Sequence, residues 1–179
     1  MAILGRRGTT AFPLRVGQLA CGEGSACRLW AERGHEVFGV DESQALITLA
    51  RRHARDCGQE VSFDVASTMA LPWPDRSLDL CLHGGAPEPA YWRDIGLDEM
   101  VRVLKPGGAL YFSCADPDTE RSVRARGMLV LDRFDLARRA AGTLLARARW
   151  TVIGTMARMG FLRTAQRTGS ALLAFITAH

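Results

Sequence analysis

A chain of 179 residues that is 47% hydrophobic and 23% charged, with 18 Gly, 7 Pro and 5 Cys, has the length and apolar content of one globular domain. Those figures exclude collagen, a coiled coil, a disulfide knot and a disordered chain. The net charge of +4 is unevenly placed, since residues 1–119 carry 12 basic and 16 acidic side chains while residues 120–179 carry 11 Arg and 3 acids.

Strand and helix signals alternate along most of the length, the pattern of βα units around a parallel sheet. Arg15 to Ala20 is predicted as a first strand, and Cys21, Gly22, Glu23 and Gly24 form a Gly-rich turn after it. A helix follows whose apolar positions Ala26, Leu29 and Trp30 share one face, with Gly34 as its left-handed C-terminal cap. Val37–Val40 reads as a second strand ending at Asp41; Ser43 then caps a helix whose Leu46, Leu49, Ala50 and His53 recur at helical spacing.

A third strand is predicted over Val61–Val65, followed by Leu71, Pro72, Trp73, Pro74 and Asp75, a rigid surface loop anchored by Trp73. Leu78–Leu82 has the continuous apolar character of a strand buried on both faces. A Gly/Pro-rich loop over 83–89 leads to a helix from Tyr91 to Leu104, closed by Lys105, Pro106, Gly107 and Gly108, and Ala109–Cys114 is the fifth strand. Residues 116–160 read as an Arg-rich helical insertion within a single domain spanning 1–179, and a hairpin of 162–166 and 172–177 is expected to close one sheet edge antiparallel.

Cys21, Cys27, Cys57, Cys81 and Cys114 are scattered, with no C-x-x-C pair and no His at ligand spacing, so neither a disulfide framework nor a metal site is expected. They read as buried small apolar residues. No run approaches the apolar length of a membrane span and no signal peptide is evident, so a cytoplasmic protein is the default expectation.

The chemistry-bearing pattern is the Gly-rich turn between strand one and helix one, followed 17 residues after Gly24 by Asp41 at the end of strand two. Bare glycine backbone lets a ligand approach, and an acid there can accept both hydroxyls of a ribose. NAD, FAD and S-adenosylmethionine all suit that spacing. A dinucleotide loop wants G-x-G-x-x-G with a small third glycine, and Cys27 stands there instead.

Four blocks in order then carry a resemblance: Leu-Ala-Cys-Gly-Glu-Gly at 19–24, Gly-Val-Asp at 39–41, Leu-Pro-Trp-Pro-Asp-Arg-Ser-Leu-Asp at 71–79, and Val-Leu-Lys-Pro-Gly-Gly at 103–108. With them the chain resembles the class I S-adenosylmethionine-dependent methyltransferases, in the small-molecule branch similar to ubiquinone and menaquinone methyltransferases. The resemblance implies an α/β, Rossmann-like, doubly wound seven-stranded mixed sheet: five parallel strands plus a C-terminal antiparallel hairpin edge. It implies S-adenosylmethionine as cofactor and a small, lipophilic methyl acceptor. By it, Gly22 and Gly24 would line the methionine part of the cofactor and Asp41 would hold the ribose. Ser67 and Thr68 would lie beside the adenine, and His83 and Gly84 would border the methyl group.

Three positions depart from the family pattern: Gln18 stands where an acid is usual, Ala20 at the first motif glycine, and Ser67 where an aspartate commonly meets the adenine. An added methyl narrows the path for the methionine end, and a hydroxyl in place of an ionised acceptor weakens a hydrogen bond enough for about a tenfold loss of affinity. These departures leave open a second reading, a non-catalytic scaffold subunit that kept the fold. His83 is the candidate general base, since an imidazole near neutral pKa at a site mouth can take a proton; Glu88 and Tyr91 are weaker candidates. Only about 15 residues precede the first strand, so either a lid is expected from the basic segment or from a partner subunit such as a second copy, or the site is unusually open. The arginines after 119 suit a solvated or oligomer-facing helix pair, or peripheral contact with an anionic membrane. Nucleic acid is disfavoured because stacking aromatics are scarce there.

Overall fold

A computed structural model describes residues 13–84, 90–112, 117–131 and 172–176. The elements are β1 (Arg15–Leu19), α1 (Ser25–Ala31), β2 (Glu36–Asp41), α2 (Gln44–Asp56), β3 (Ser62–Val65), β4 (Leu78–His83), α3 (Ala90–Val103), β5 (Leu104–Phe112), α4 (Pro117–Ala125), β6 (Met128–Leu131) and β7 (Leu172–Ile176). The described strands lie in one sheet in the order β3-β2-β1-β4-β5-β7-β6. β1 to β5 run parallel, while β7 is antiparallel to both β5 and β6.

Each face of this sheet buries its own apolar layer. On one, Val16, Phe63, Leu80 and Tyr111 pack with Trp30 of α1 and with Ile47, Ala50 and Ala54 of α2. On the other, Leu19, Leu78, Leu110 and Phe112 meet Leu97, Met100 and Val103 of α3 and Val123 of α4. Consecutive residues of a strand point to opposite faces, so a parallel sheet covered on both sides needs the continuous apolar run that β4 has.

Both predicted caps are present: Gly34 has φ +83°, and Ser43 Oγ accepts from Leu46 N at 3.3 Å. The predicted helix faces need correction. Leu29 is 44% exposed, and Leu46 and Leu49 are 37% and 41% exposed. The contact row of α2 is Ile47, Ala50 and Ala54, about one residue round the helix, because the two alanines let it lie close against Phe63. A large apolar residue beside that row advertises a face it does not occupy.

The loop of residues 71–75 is also less superficial than expected. Leu71 and Trp73 are buried, and the Trp73 ring lies 6.4 Å from Phe38, edge to face. Arg102 of α3 holds this loop by donating to the carbonyls of Leu71 and Trp73 at 3.1 and 2.9 Å and to Asp75 at 2.7 Å, while pairing with Glu99 at 2.6 Å. Glu99 in turn accepts from Leu71 N at 2.8 Å. The Arg102 hydrogen bond holds the Glu99 carboxyl below its ordinary pKa.

β5 starts at Leu104 rather than Ala109, with the pairing passing from Leu78 opposite Leu104 to Leu80 opposite Ala109. The residues between arch out as a bulge, which accommodates Pro106 and its missing N–H. Lys105 reaches from the bulge to Asp79 at 2.9 Å.

At the far edge the partner of β7 is β6, drawn from Met128–Leu131, so the expected tight hairpin about 168–170 does not account for this pairing. Leu129 and Leu131 therefore belong to a strand, not to the helical insertion read there; cross-strand pairing overrides their helical spacing. The other half of that hairpin, 162–166, and the insertion beyond 131 lie outside the described residues. Cys21, Cys27 and Cys81 are buried as expected, Cys57 is exposed, and Cys114 lies outside the described residues. Among the described residues no helix is long and apolar enough to cross a membrane.

Candidate cofactor cleft

Register places Leu19 beside Val40 and His83, and Asp41 beside Val65, so the carboxyl ends of the parallel strands finish at one level. The chain moves outward in one direction from β1 to β2 and in the other from β4 to β5. At such a switch point the loops diverge and leave a crevice. The walls are the β1–α1 loop, the end of β2, the loop after β3 and the residues following β4.

Asp41 ties two of these walls together. Its Oδ2 accepts from Gly22 N and its Oδ1 from Ser43 N, both at 2.9 Å. A carboxylate has about four lone-pair sites, so roughly two stay available to hydroxyls of a ligand. Ser43 was expected only as a helix cap; its backbone N–H also orients the acid. Gly22 has φ +57°, and among the described residues nothing lies within 4 Å of the place a Cβ would take, so its backbone borders open space there.

Gly24 has a packing role. A Cβ there would come within 2.6 Å of Phe63 and 3.1 Å of Ala50, at φ +77°. Its bareness lets the loop close onto β3 and α2. Ala20 is exposed and takes φ +48°, a conformation in which a side chain carries strain.

The remaining sequence candidates divide between the faces. Gln18 is buried on the α1 side, where its Oε1 accepts from Cys27 Sγ at 3.6 Å. Its Nε2 lies 3.6 Å from the Cβ position of Gly84. His83, in register with Leu19, points to the opposite face and stacks obliquely on Phe112 at 5.3 Å. Ser67 Oγ accepts from Met69 N at 3.3 Å, a local turn that fixes the start of the loop after β3. Thr68 is buried and lies against Gly96 of α3. Glu88 lies outside the described residues, and Tyr91 is described only as part of the α3 backbone.

The expectation of a near-neutral imidazole also needs correction. Burial lowers the pKa of His83 from 6.5 to about 4. The group is uncharged through the physiological range and a weak base. Among the described residues no cluster of His, Cys, Asp and Glu is suited to hold a metal ion.

A second concavity, of about 1210 Å³, opens where β2 and β3 begin, lined by Glu32, His35, Glu36, Gln59 and Glu60 among others. None of the candidate residues lines it. Size alone does not make it the reactive site, because it has neither the glycine backbone nor the hydroxyl-accepting acid of the cleft.

A family model described as a methyltransferase domain matches residues 18–112, the stretch that runs from Gln18 to the end of β5. The chain belongs to the methyltransferase-domain family. Similar curated proteins include a ubiquinone biosynthesis O-methyltransferase of Chelativorans sp. (strain BNC1), 28% identical over 66% of this chain and 45% of that protein. Another is a demethylmenaquinone methyltransferase of Thermus thermophilus, 37% identical over 55% of this chain and 46% of that protein. This methyltransferase-domain chain thus spans about half the length of the curated relatives it matches. A SAM-dependent methyltransferase structure from Methanosarcina mazei is 28% identical, with TM-score 0.53 over 56% of this chain and 51% of that one. The structure of a [4+2]-cyclase aligns over 93% of this chain and 76% of its own with TM-score 0.64 and 22% identity, a likeness of fold alone.

Sequence reasoning singled out Asp41 and the glycine turn but not the contact of Cys27 with Gln18 or the pairing of Glu99 with Arg102. Cys27 was read as a buried small apolar residue and as the wrong residue for a dinucleotide loop, with no polar partner named for it. The acid and base three apart in Glu99 and Arg102 were the available signal for a polar clamp, but nothing in the spacing names its targets at Leu71 and Trp73.

Proposed function

We propose that the chain transfers a methyl group from S-adenosylmethionine to a small-molecule acceptor. The observation that carries this reading is the Asp41 carboxylate, held by Gly22 N–H and Ser43 N–H at the mouth of the cleft with acceptor capacity to spare. The open space beside Gly22 fits a nucleoside cofactor at that point. Asp41 would accept the ribose hydroxyls, the 20–24 loop would border the methionine end, and Ser67 would stand near the adenine. The relatives that act in quinone biosynthesis support a lipophilic acceptor.

The cofactor supplies an activated methyl on a sulfonium that carries its own leaving group. The protein's work is then alignment and water exclusion. Glycine backbone and the tied Asp41 give a rigid seat, and the buried rings of His83 and Phe112 give an apolar wall under the end of β4. A neutral His83 supports positioning better than proton removal, so this reading suits an acceptor that is nucleophilic without a strong base. The excess of arginine after residue 119 supports contact with anionic or membrane-bound surroundings of the acceptor.

Calorimetry with S-adenosylhomocysteine tests the reading. Micromolar binding is expected of the native chain and loss of binding in Asp41→Ala. No heat at millimolar ligand would remove the cofactor assignment, and an unchanged affinity in the variant would remove Asp41 from it.

A further inference from the structure

We infer that Gln18 and Cys27 work as a unit that receives a carboxylate on the ligand of this cleft, Gln18 as the hydrogen-bond donor and Cys27 as the positioning residue that sets its direction. The inference rests on the cofactor reading above and concerns how the amino-acid end of that ligand is recognised.

Gln18 is 8% exposed and Cys27 is wholly buried. Such a buried amide has two unlike ends, and what it offers a ligand depends on which end is committed to the protein. Here the commitment is to Cys27, whose Sγ lies 3.6 Å from Gln18 Oε1. A thiol can donate to that oxygen only while protonated. The neighbouring Cys21 and burial both raise the Cys27 pKa, so the sulfur keeps the proton it directs at Gln18 Oε1. With the carbonyl end turned to the helix, the NH₂ end faces the other way. It lies 3.6 Å from where a Cβ of Gly84 would be, at the first residue beyond β4, and it makes no hydrogen bond among the described residues.

Gln18 pairs with Leu82 across the β1–β4 boundary, so this NH₂ group sits at the crevice itself. An amide NH₂ donates and does not accept. An ammonium group would set donor against donor, whereas a carboxylate oxygen satisfies it with a charge-assisted bond. The nearby acid that could attract an ammonium, Asp41, lies two residues beyond Gly39, the register partner of Gln18, and its spare lone pairs are those assigned to the ribose hydroxyls. The cleft therefore takes its ligand's amino-acid end by the carboxylate.

The test compares S-adenosylhomocysteine with 5′-methylthioadenosine, which has the adenosine and thioether but no amino acid, by calorimetry on the full chain. Native protein is expected to prefer the first by about tenfold or more, the scale of one hydrogen bond to a charged group. Gln18→Met keeps the length and removes the donor; the preference should fall close to unity with 5′-methylthioadenosine affinity unchanged. Gln18→Glu should weaken S-adenosylhomocysteine selectively, and tighter binding there would overturn the inference, because it would place the ammonium at residue 18. Cys27→Ala should lose the preference and Cys27→Ser regain it, since a hydroxyl donates along the same line. Equal preference in both, with circular dichroism showing both folded, would refute the positioning role. If native protein binds the two ligands equally, the carboxylate inference fails while the nucleoside reading stands; if it binds neither, the reading and the inference fall together.

Discussion

The two halves of the sheet that meet at the β1–β4 boundary are held by different physics. On the β1–β2–β3 side the loops close by absence: Gly24 and Gly39 leave room for the Phe63 ring, where a Cβ would fall within 2.6 and 2.7 Å of it. The polar ties at the cleft run there from the Asp41 side chain to backbone N–H, while Arg51 of α2 donates to the Phe63 carbonyl at 3.1 Å further out. On the β4–β5 side a guanidinium gathers a loop through four separate oxygen-bearing partners, and the imidazole at the strand end is buried without charge. The first arrangement tolerates no added atom but leaves ligand-binding groups uncommitted. The second is adjustable in shape but uses up its polar groups. The difference teaches where to look for binding: in the half whose polar groups are held in place without being consumed.

The largest expected effect sharpens the packing half of this contrast. Gly24→Val combines a β-branched residue at φ +77° with a clash against Phe63, and strain plus overpacking should destabilise by about 4 kcal/mol in urea denaturation. A change below about 1 kcal/mol would mean that the loop is not seated on that ring.

Next comes the buried imidazole. The His83 pKa in the folded chain, about 4, lies below its ordinary 6.5, so the unfolded chain binds more protons between those values. Stability is therefore present in full above about pH 6.5 and declines toward pH 4, by about 3 kcal/mol for this group. His83→Leu should flatten that part of the stability–pH curve, measured by urea midpoints from pH 7 to 4. An unchanged slope would assign acid sensitivity to other groups.

Arg102→Met should cost about 2 kcal/mol, because Glu99 and the Leu71 and Trp73 carbonyls each lose a charged donor at a partly buried site. It breaks the comparison if it also alters affinity for S-adenosylhomocysteine by more than about threefold, since the clamp would then be shaping the cleft rather than only the loop.

The legibility of this molecule followed the same division. Parallel strands, the glycine turn, Asp41 and the Ser43 cap were readable because each rests on a local rule: alternation, left-handed backbone, hydroxyl capping. The face of α2 was misread because Ala50 and Ala54 set it through close approach, while the larger Leu46 and Leu49 dominate any pattern count. Met128–Leu131 was read as helix because a strand's partner, here Leu172–Ile176, lies 40 and more residues away. The pKa of His83 was unreadable for a related reason. Its desolvation comes from packing that includes Phe112 of β5, which no feature near residue 83 announces.

The smallest expected effect is the most discriminating. Among the described residues each half contains one non-glycine residue at positive φ, Ala20 at +48° and Arg76 at +50°. Both are exposed, so in both the strain is a matter of backbone and Cβ rather than of crowding by neighbours. A left-handed conformation costs an L-residue about 1–2 kcal/mol, and glycine returns part of that gain through its larger unfolded-state entropy. Ala20→Gly and Arg76→Gly should therefore each stabilise by about 0.5–1 kcal/mol, a small rise in urea midpoint of similar size in the two variants. Their effects on ligand affinity should diverge. Ala20 lies next to the Gly22 backbone at the cleft, so removing its methyl widens the path there and should tighten S-adenosylhomocysteine by about two- to fivefold. Arg76 precedes β4 at the opposite end of the strands, bonded through its N–H to the Arg102 carbonyl at 2.9 Å, and its substitution should leave affinity untouched. Equal stabilisation with unequal affinity would show strain of one kind placed at two sites, only one of them functional; a matched change in affinity would make both merely structural.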